Sequence, residues 1–264
     1  MNAILAIAGT TLGEAIRRRV LLIILMVGLA FLVIAPSLNQ LTPRGERSVL
    51  IAMVLGVLKI TAAILAVTLT VYLLPNEVER RTIYTILSKP VQRFQFILGK
   101  FLGSVGAWAL MIGLMTIVLL VAFVLQKQSY DMKDIGPIVR SAIMLVFQMS
   151  LLAAIAMFFS TFATPVVNFF LTGLVFIFGT LLNPILEGMG DGARSGIGSL
   201  FAKFAHYAIP NFSNLDISTG AAVQAEQQLK GSELVYMSQG MIYAVVYIGI
   251  LLILAVLVFD RKEV

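Results

Sequence analysis

The sequence is dominated by six long apolar segments, which are separated by shorter polar stretches. Most of these segments reach or approach the roughly 20 residues that an α-helix needs to cross a bilayer. The core of a soluble protein would show short periodic stripes of apolar residues instead. We therefore predict an all-α integral membrane protein with six transmembrane helices, in which residues 1–264 form one transmembrane domain. The predicted spans are residues 20–35, 49–74, 97–125, 138–159, 166–186 and 234–259.

Residues 3–19, which precede the first span, have the pattern of an amphipathic helix. Apolar side chains recur there at steps of three and four residues, so they share one face of a helix. We predict an interfacial helix that lies on the membrane surface with this face in the lipid. A plain extension of the first span is the alternative. The residues of the predicted face are Ile4, Leu5, Ala8, Leu12, Ala15 and Ile16.

Composition supports a membrane protein without an appended soluble domain. Of the residues, 59% are hydrophobic and 12% are charged, whereas about a quarter of a soluble domain is charged. The absence of cysteine excludes disulfides and thiolate metal sites. The basic residues 17–19 follow the first apolar stretch rather than preceding it, so we expect the start of the chain to be retained and not cleaved as a secretory signal.

The distribution of Lys and Arg gives an orientation. With the N-terminus inside, the inner side holds ten of these residues and the outer side holds eight. Three of the outer eight lie in residues 187–233, a long outer region where charge has less influence on topology. We therefore expect both termini in the cytoplasm.

Catalytic groups are scarce in this sequence. The one histidine, His206, lies in the predicted outer region and has no partners at metal-ligand spacing. The only Gly-Lys pair, Gly99-Lys100, does not fit a phosphate-binding loop, because Phe94 and Phe101 occupy positions where that motif needs Gly and Ser or Thr. We therefore expect no catalytic residue, no metal and no cofactor in this chain.

Three polar residues within the predicted spans are candidates for a substrate path. Lys59 lies ten residues into the second span, about 15 Å along the helix. A lysine at that depth is costly unless it faces a cavity, meets a partner or extends to the surface, so a cavity-lining charge and a snorkelling side chain are both open. Asn168 and Thr172 in the fifth span fit a substrate path or a bridge between helices.

A charged stretch between the second and third spans, residues 76–93, predicts a short helix on the cytoplasmic surface. Asn76 and Glu79 have the spacing of a helix N-cap and its capping box, and Pro90 marks the end. Ile83, Ile86 and Leu87 form one apolar face. From the pattern alone, this helix either docks on a partner or merely links two spans.

The motifs around this stretch resemble the permease subunits of bacterial ATP-binding-cassette exporters of the type-2 class. The order of elements is similar too: a surface helix, six spans, a helix between spans two and three, and a long outer region before span six. The resemblance covers nearly the whole chain. The matching motifs are EVERRT at 77–82, LSKPV at 87–91 followed by Arg93, LGKFLG at 98–103, PNF at 210–212 and FDRK at 259–262.

The resemblance implies that this chain is the transmembrane subunit of an exporter in the bacterial cytoplasmic membrane. It implies a second permease copy or homologue and separate ATPase subunits, which bind ATP and magnesium, and no nucleic-acid partner. Residues 76–93 become a coupling helix that docks in a groove of the ATPase. The implied docking residues are Glu77, Glu79, Arg80, Arg81, Thr82, Ile83, Tyr84, Ile86, Leu87, Pro90 and Arg93.

Two other functions stay open at this point. A secondary transporter that works without ATP would have charged or discontinuous helices near the membrane midplane, and Lys59 is the one such charge in the predicted spans. A scaffold for a membrane assembly would affect no ATPase at all.

Overall fold

The structure is a computed structural model that describes residues 3–34, 47–73, 92–125, 132–188, 209–216 and 233–260. Within these ranges the chain is helical and contains no β-strand. The predicted helix at 76–93 lies outside the described residues, except for its last two positions. The seven α-helices are α1 (Ala3–Arg17), α2 (Arg19–Ile34), α3 (Arg47–Val71), α4 (Arg93–Leu125), α5 (Met132–Ser160), α6 (Pro165–Gly188) and α7 (Glu233–Asp260).

Four of these helices are long and apolar enough to cross a membrane. The candidate spans are Ala52–Val71 in α3, Arg93–Ala122 in α4, Ile138–Ser160 in α5 and Val235–Asp260 in α7. The apolar helices Arg19–Ile34 and Pro165–Leu181 are shorter. The bounds of α2 to α7 lie within about six residues of the six predicted segments.

Helix α5 is the centre of the bundle. It contacts α3, α4, α6 and α7, and residues 151–157 are buried on every side. The small side chains of Ala153, Ala154 and Ala156 let the neighbouring helices approach closely. Helix α7 is peripheral, since only 22% of its apolar stretch is buried.

Helix α1 lies against the first half of α4, and two glycines of α4 make this approach possible. A Cβ atom on Gly99 would lie 2.8 Å from Ile7 Cβ, and one on Gly103 would lie 2.6 Å from Thr11 Cβ. Small residues four positions apart allow two helix backbones to come close together. The LGKFLG motif is therefore the surface on which the N-terminal helix packs.

Only part of the apolar stripe of α1 that was predicted to face lipid is exposed, since Ala15 of that stripe is fully buried. Leu5 and Ile16 are 64% and 44% exposed, while Thr11 is buried near the centre of the contact with α4. Because Thr11 is polar, the hydrophobic pattern did not include it among the buried positions. Its hydroxyl donates to the carbonyl oxygen of Ile7 at 2.8 Å, so it can be buried without a water molecule. The backbone leaves the helix at Arg18, which separates α1 from α2.

The contact between α1 and α4 can be tested with a single methyl group. We expect Gly103→Ala to lower the free energy of unfolding by about 1–3 kcal/mol, because the added methyl meets the Ala8 carbonyl oxygen and the Thr11 side chain. Thermal unfolding in detergent measures the change. Gly113→Ala on the same helix is the control, since its Cβ would meet nothing within 4 Å. Equal melting temperatures for the two variants would contradict the close contact.

Candidate functional site

A short segment of irregular backbone, residues 209–216, lies among the helices at one end of the bundle. We call it the inserted segment. Its only regular element is a 3-10 turn at Ser213–Leu215, which contacts α5, α6 and α7. The segment reaches Gly240, seven residues from the start of α7, so it lies about 10 Å below the end of that helix. Non-helical backbone at such depth is tolerated only where protein surrounds it or it lines a cavity.

Phe212 anchors the inserted segment. Its side chain is fully buried, and its ring meets the Phe176 ring edge-on with centroids 5.6 Å apart. Its amide donates to the Gly179 carbonyl at 3.0 Å, and its own carbonyl accepts from Gln148 Nε2 at 3.0 Å. A Cβ atom on Gly179 would lie 2.6 Å from the Pro210 carbonyl oxygen, so only glycine fits there.

Further hydrogen bonds hold the inserted segment. The amide of Asn211 donates to the Tyr243 hydroxyl on α7 at 2.9 Å. The Asn211 side-chain oxygen accepts from the amide of Ser213 at 3.0 Å, which forms an Asx turn. The segment therefore keeps its shape through its own bonds and its position through bonds to the helices.

An ion pair joins the end of the inserted segment to α3. Lys59 Nζ lies 2.5 Å from Asp216 Oδ2, and the two side chains are 15% and 7% exposed. Lys59 Nζ is also 5.9 Å from the centroid of the Phe176 ring, where the ring face attracts a cation. The structure thus gives Lys59 an acidic partner, and the same lysine also lines a small cavity.

A small cavity of about 20 Å³ lies beside this pair. Polar groups from α5 share it with the two charges, and the rest of the lining is leucine. A cavity of this size holds one water molecule when it offers two or more polar partners. The polar lining residues are Lys59, Ser141, Gln148 and Asp216.

Asn168 and Thr172 lie elsewhere on α6 and bridge helices. Asn168 Nδ2 donates to the Ala156 carbonyl of α5 at 2.9 Å, and the Thr172 hydroxyl donates to Asn168 Oδ1 at 2.9 Å. Both side chains are fully buried. Asn168 is eight residues from Phe176, about 12 Å along α6. The structure therefore does not bring Asn168 to the ion pair.

Arg93, the last residue of the predicted docking set, lies at the start of α4 and contacts the end of α7. Its guanidinium donates to the carbonyls of Phe259 and Asp260 at 3.2 and 3.1 Å. Its Nε lies 3.7 Å from the Asp260 carboxylate. The last carbonyls of a helix lack partners within it and carry the negative end of its dipole, so a cation is favourable there. The other members of that set lie outside the described residues.

Asp216 is the functional candidate that sequence reasoning missed. The sequence raised the question of a partner for Lys59, but the region before the last span contains several acids: Glu187, Asp191, Asp216, Glu226 and Glu233. No spacing rule connects any of them to a lysine more than 100 residues earlier. The nearby PNF motif was a signal, because Phe212 holds the segment that ends at Asp216 against α5 and α6.

Comparison with known proteins agrees with the resemblance in the sequence. A family model described as "ABC-2 family transporter protein" matches residues 5–264. No curated protein matches this sequence.

The energetics of the ion pair can be tested by removing one charge or both. We expect Lys59→Met to destabilise the protein by about 3 kcal/mol, because it leaves the Asp216 carboxylate buried without the lysine ammonium. The double variant Lys59→Met/Asp216→Leu should recover most of that loss, because an apolar pair has no charge to desolvate. Thermal unfolding in detergent compares the three proteins. Additive losses in the double variant would contradict a direct pair.

Proposed function

Because the chain belongs to the ABC-2 family of transporter proteins, we propose that it is the transmembrane subunit of an ATP-driven exporter. It forms the substrate pathway together with a second permease copy or homologue, and separate ATP-binding-cassette ATPase subunits drive it. The sequence supports this division of labour, since the only Gly-Lys pair does not fit a phosphate-binding loop.

The contact between Arg93 and the end of α7 carries the coupling part of this proposal. Arg93 is the last residue of the predicted coupling helix and the first residue of α4, and its guanidinium donates hydrogen bonds to the last carbonyls of α7. A displacement of the coupling helix would therefore reach α4 and α7 together. The glycines at 99 and 103 extend the same movement to α1, which lies against α4.

The same contact supports the proposed topology in the bacterial cytoplasmic membrane. Arg93 begins α4 and Asp260 ends α7, so both lie at one face of the bundle. Four crossings, by α4 to α7, return the chain to the side from which it started. With α2 and α3 this makes six spans, with both termini in the cytoplasm and the inserted segment at the outer end.

A substrate path near Lys59 is part of the proposal. Lys59 of α3 lines the small polar cavity, and its side chain is 15% exposed. The bonds of Asn168 and Thr172 to α5 and to each other favour a bridging role for those two residues.

Affinity purification from native membranes in mild detergent tests the ATPase partnership. We expect a stoichiometric subunit with a phosphate-binding loop to be recovered with the tagged chain. Glu79→Lys should reduce that recovery about tenfold or more, because it places a like charge against the docking groove. Asp134→Lys on the predicted outer side is the control and should not change it. Recovery of the chain alone would instead favour a secondary transporter.

Arg93→Gln separates docking from coupling. We expect normal recovery of the ATPase but a roughly fivefold lower ATPase rate of the purified complex in lipid, because α7 loses its contact with the coupling helix. Arg17→Gln, at an exposed position at the end of α1, is the charge-removal control and should leave the ATPase rate unchanged. If Arg93→Gln abolished recovery instead, Arg93 would belong to the docking surface.

A further inference from the structure

We propose that the inserted segment, residues 209–216, is a gate at the outer ends of α3, α5, α6 and α7, and that the Lys59–Asp216 ion pair is the latch that holds it closed. This inference takes the outer location from the proposed function. The ion pair, the segment and their contacts are independent of it.

The inserted segment touches four helices through four different groups. Gly179 of α6 accepts from its backbone, Gln148 of α5 donates to it, the Tyr243 hydroxyl of α7 accepts from it, and Lys59 of α3 pairs with its carboxylate. Because each of these four helices holds at least one contact, a relative movement of any two must break or stretch a contact of the segment. The segment thus responds to the arrangement of α3, α5, α6 and α7.

The apolar contacts and the ion pair of the inserted segment differ in how they can be released. The Phe212 contact is apolar and close-packed, so it loses buried surface as soon as it opens. The charge pair gives little net stability compared with an apolar pair of the same volume. If the pair served only to hold the segment in place, methionine at position 59 and leucine at position 216 would serve equally well. Charges have a different property, because water can stabilise them once they are apart.

The small cavity supplies a place for that water. It lies directly beside Lys59 and Asp216 and adds polar groups from Ser141 and Gln148. Its volume of about 20 Å³ accommodates one water molecule. The first step of separation can therefore be hydrated from within, which lowers the cost of opening the latch.

Helix α3 connects the latch to the cytoplasmic side. Lys59 and Val71, the last residue of α3, are 12 residues apart, about 18 Å along the helix. The predicted coupling helix begins five residues after Val71. A helix of this length moves as a rigid rod, so a displacement at its cytoplasmic end would pull Lys59 away from Asp216.

Labelling of single cysteines tests the latch without any ATPase, since the chain has no native cysteine. The reporter is Ser213→Cys, a half-buried position in the inserted segment. A membrane-impermeant maleimide is added from the outside of intact cells. We expect Lys59→Met to speed labelling about tenfold or more, because Asp216 loses the lysine ammonium. Lys59→Met/Asp216→Leu should label as slowly as the reporter alone. Equal rates with and without Lys59→Met would overturn the latch.

Two controls separate opening of the gate from unfolding. Ser104→Cys, fully buried on α4, should stay unlabelled in every background; labelling there together with position 213 would mean global unfolding and overturn the latch. Gly179→Ala should speed labelling at 213 with the charges intact, because its methyl meets Phe212 and Pro210. The control is Gly173→Ala on the same helix, whose methyl meets nothing within 4 Å, so it should not change the labelling rate at position 213.

The gate role has its own test in the purified complex. The apolar pair Lys59→Met/Asp216→Leu holds the segment but cannot be opened by hydration, so the complex should bind its ATPase normally and lose most of its ATPase rate. A wild-type rate would overturn the gate. Failure to recover any ATPase with the wild-type chain would instead contradict the proposed function, and the labelling result would still stand.

Discussion

Polar groups buried among apolar helices are stabilised by partners inside the protein, and this constraint shapes much of the structure; among the described residues, Trp108 Nε1 and Thr180 Oγ1 are buried without a hydrogen bond. Thr11, Thr70, Thr116 and Ser150 satisfy the constraint locally, by donating to a carbonyl one turn earlier. Asn168 satisfies it by reaching the backbone of a neighbouring helix. The inserted segment has the largest demand, since its backbone is not helical, and it draws on α3, α5, α6 and α7 at once. At that depth, Lys59 and Asp216 each lower the free-energy cost of burying the charge of the other.

Close approach between backbones is the second requirement, and glycines meet it at separate places. Gly99 and Gly103 admit α1, Gly179 admits the Pro210 carbonyl and the Phe212 ring, and Gly240 admits the Asn214 carbonyl at 3.2 Å from its would-be Cβ. Other glycines of the same helices, such as Gly113, Gly173 and Gly249, face open space. Glycines with a close neighbour therefore determine where two elements meet. Glycines that face open space can be replaced by alanine at little cost in stability.

These contacts link the two ends of the transport domain. At one end, Arg93 joins the start of α4 to the end of α7, and α1 lies against the same part of α4. At the other end, the inserted segment joins α3, α5, α6 and α7 around one ion pair. Helix α7 takes part in the contacts at both ends, and helix α3 runs between the two ends. A movement applied at the end that holds Arg93 therefore has rigid paths to the inserted segment, as the proposed coupling to a separate ATPase requires.

The sequence by itself determined the helical class, the membrane location, the approximate bounds of the apolar helices and the resemblance to the transporter family. These follow from runs and periodicities of hydrophobic residues, which act over one helix at a time. The docking role of residues 76–93 remains a prediction from that same sequence. Tertiary structure alone decided that Asp216 pairs with Lys59, that Arg93 meets Asp260 and that Thr11 belongs to the packed face of α1. Such contacts join residues far apart along the chain or depend on which neighbour covers a helix face, and no local pattern encodes either.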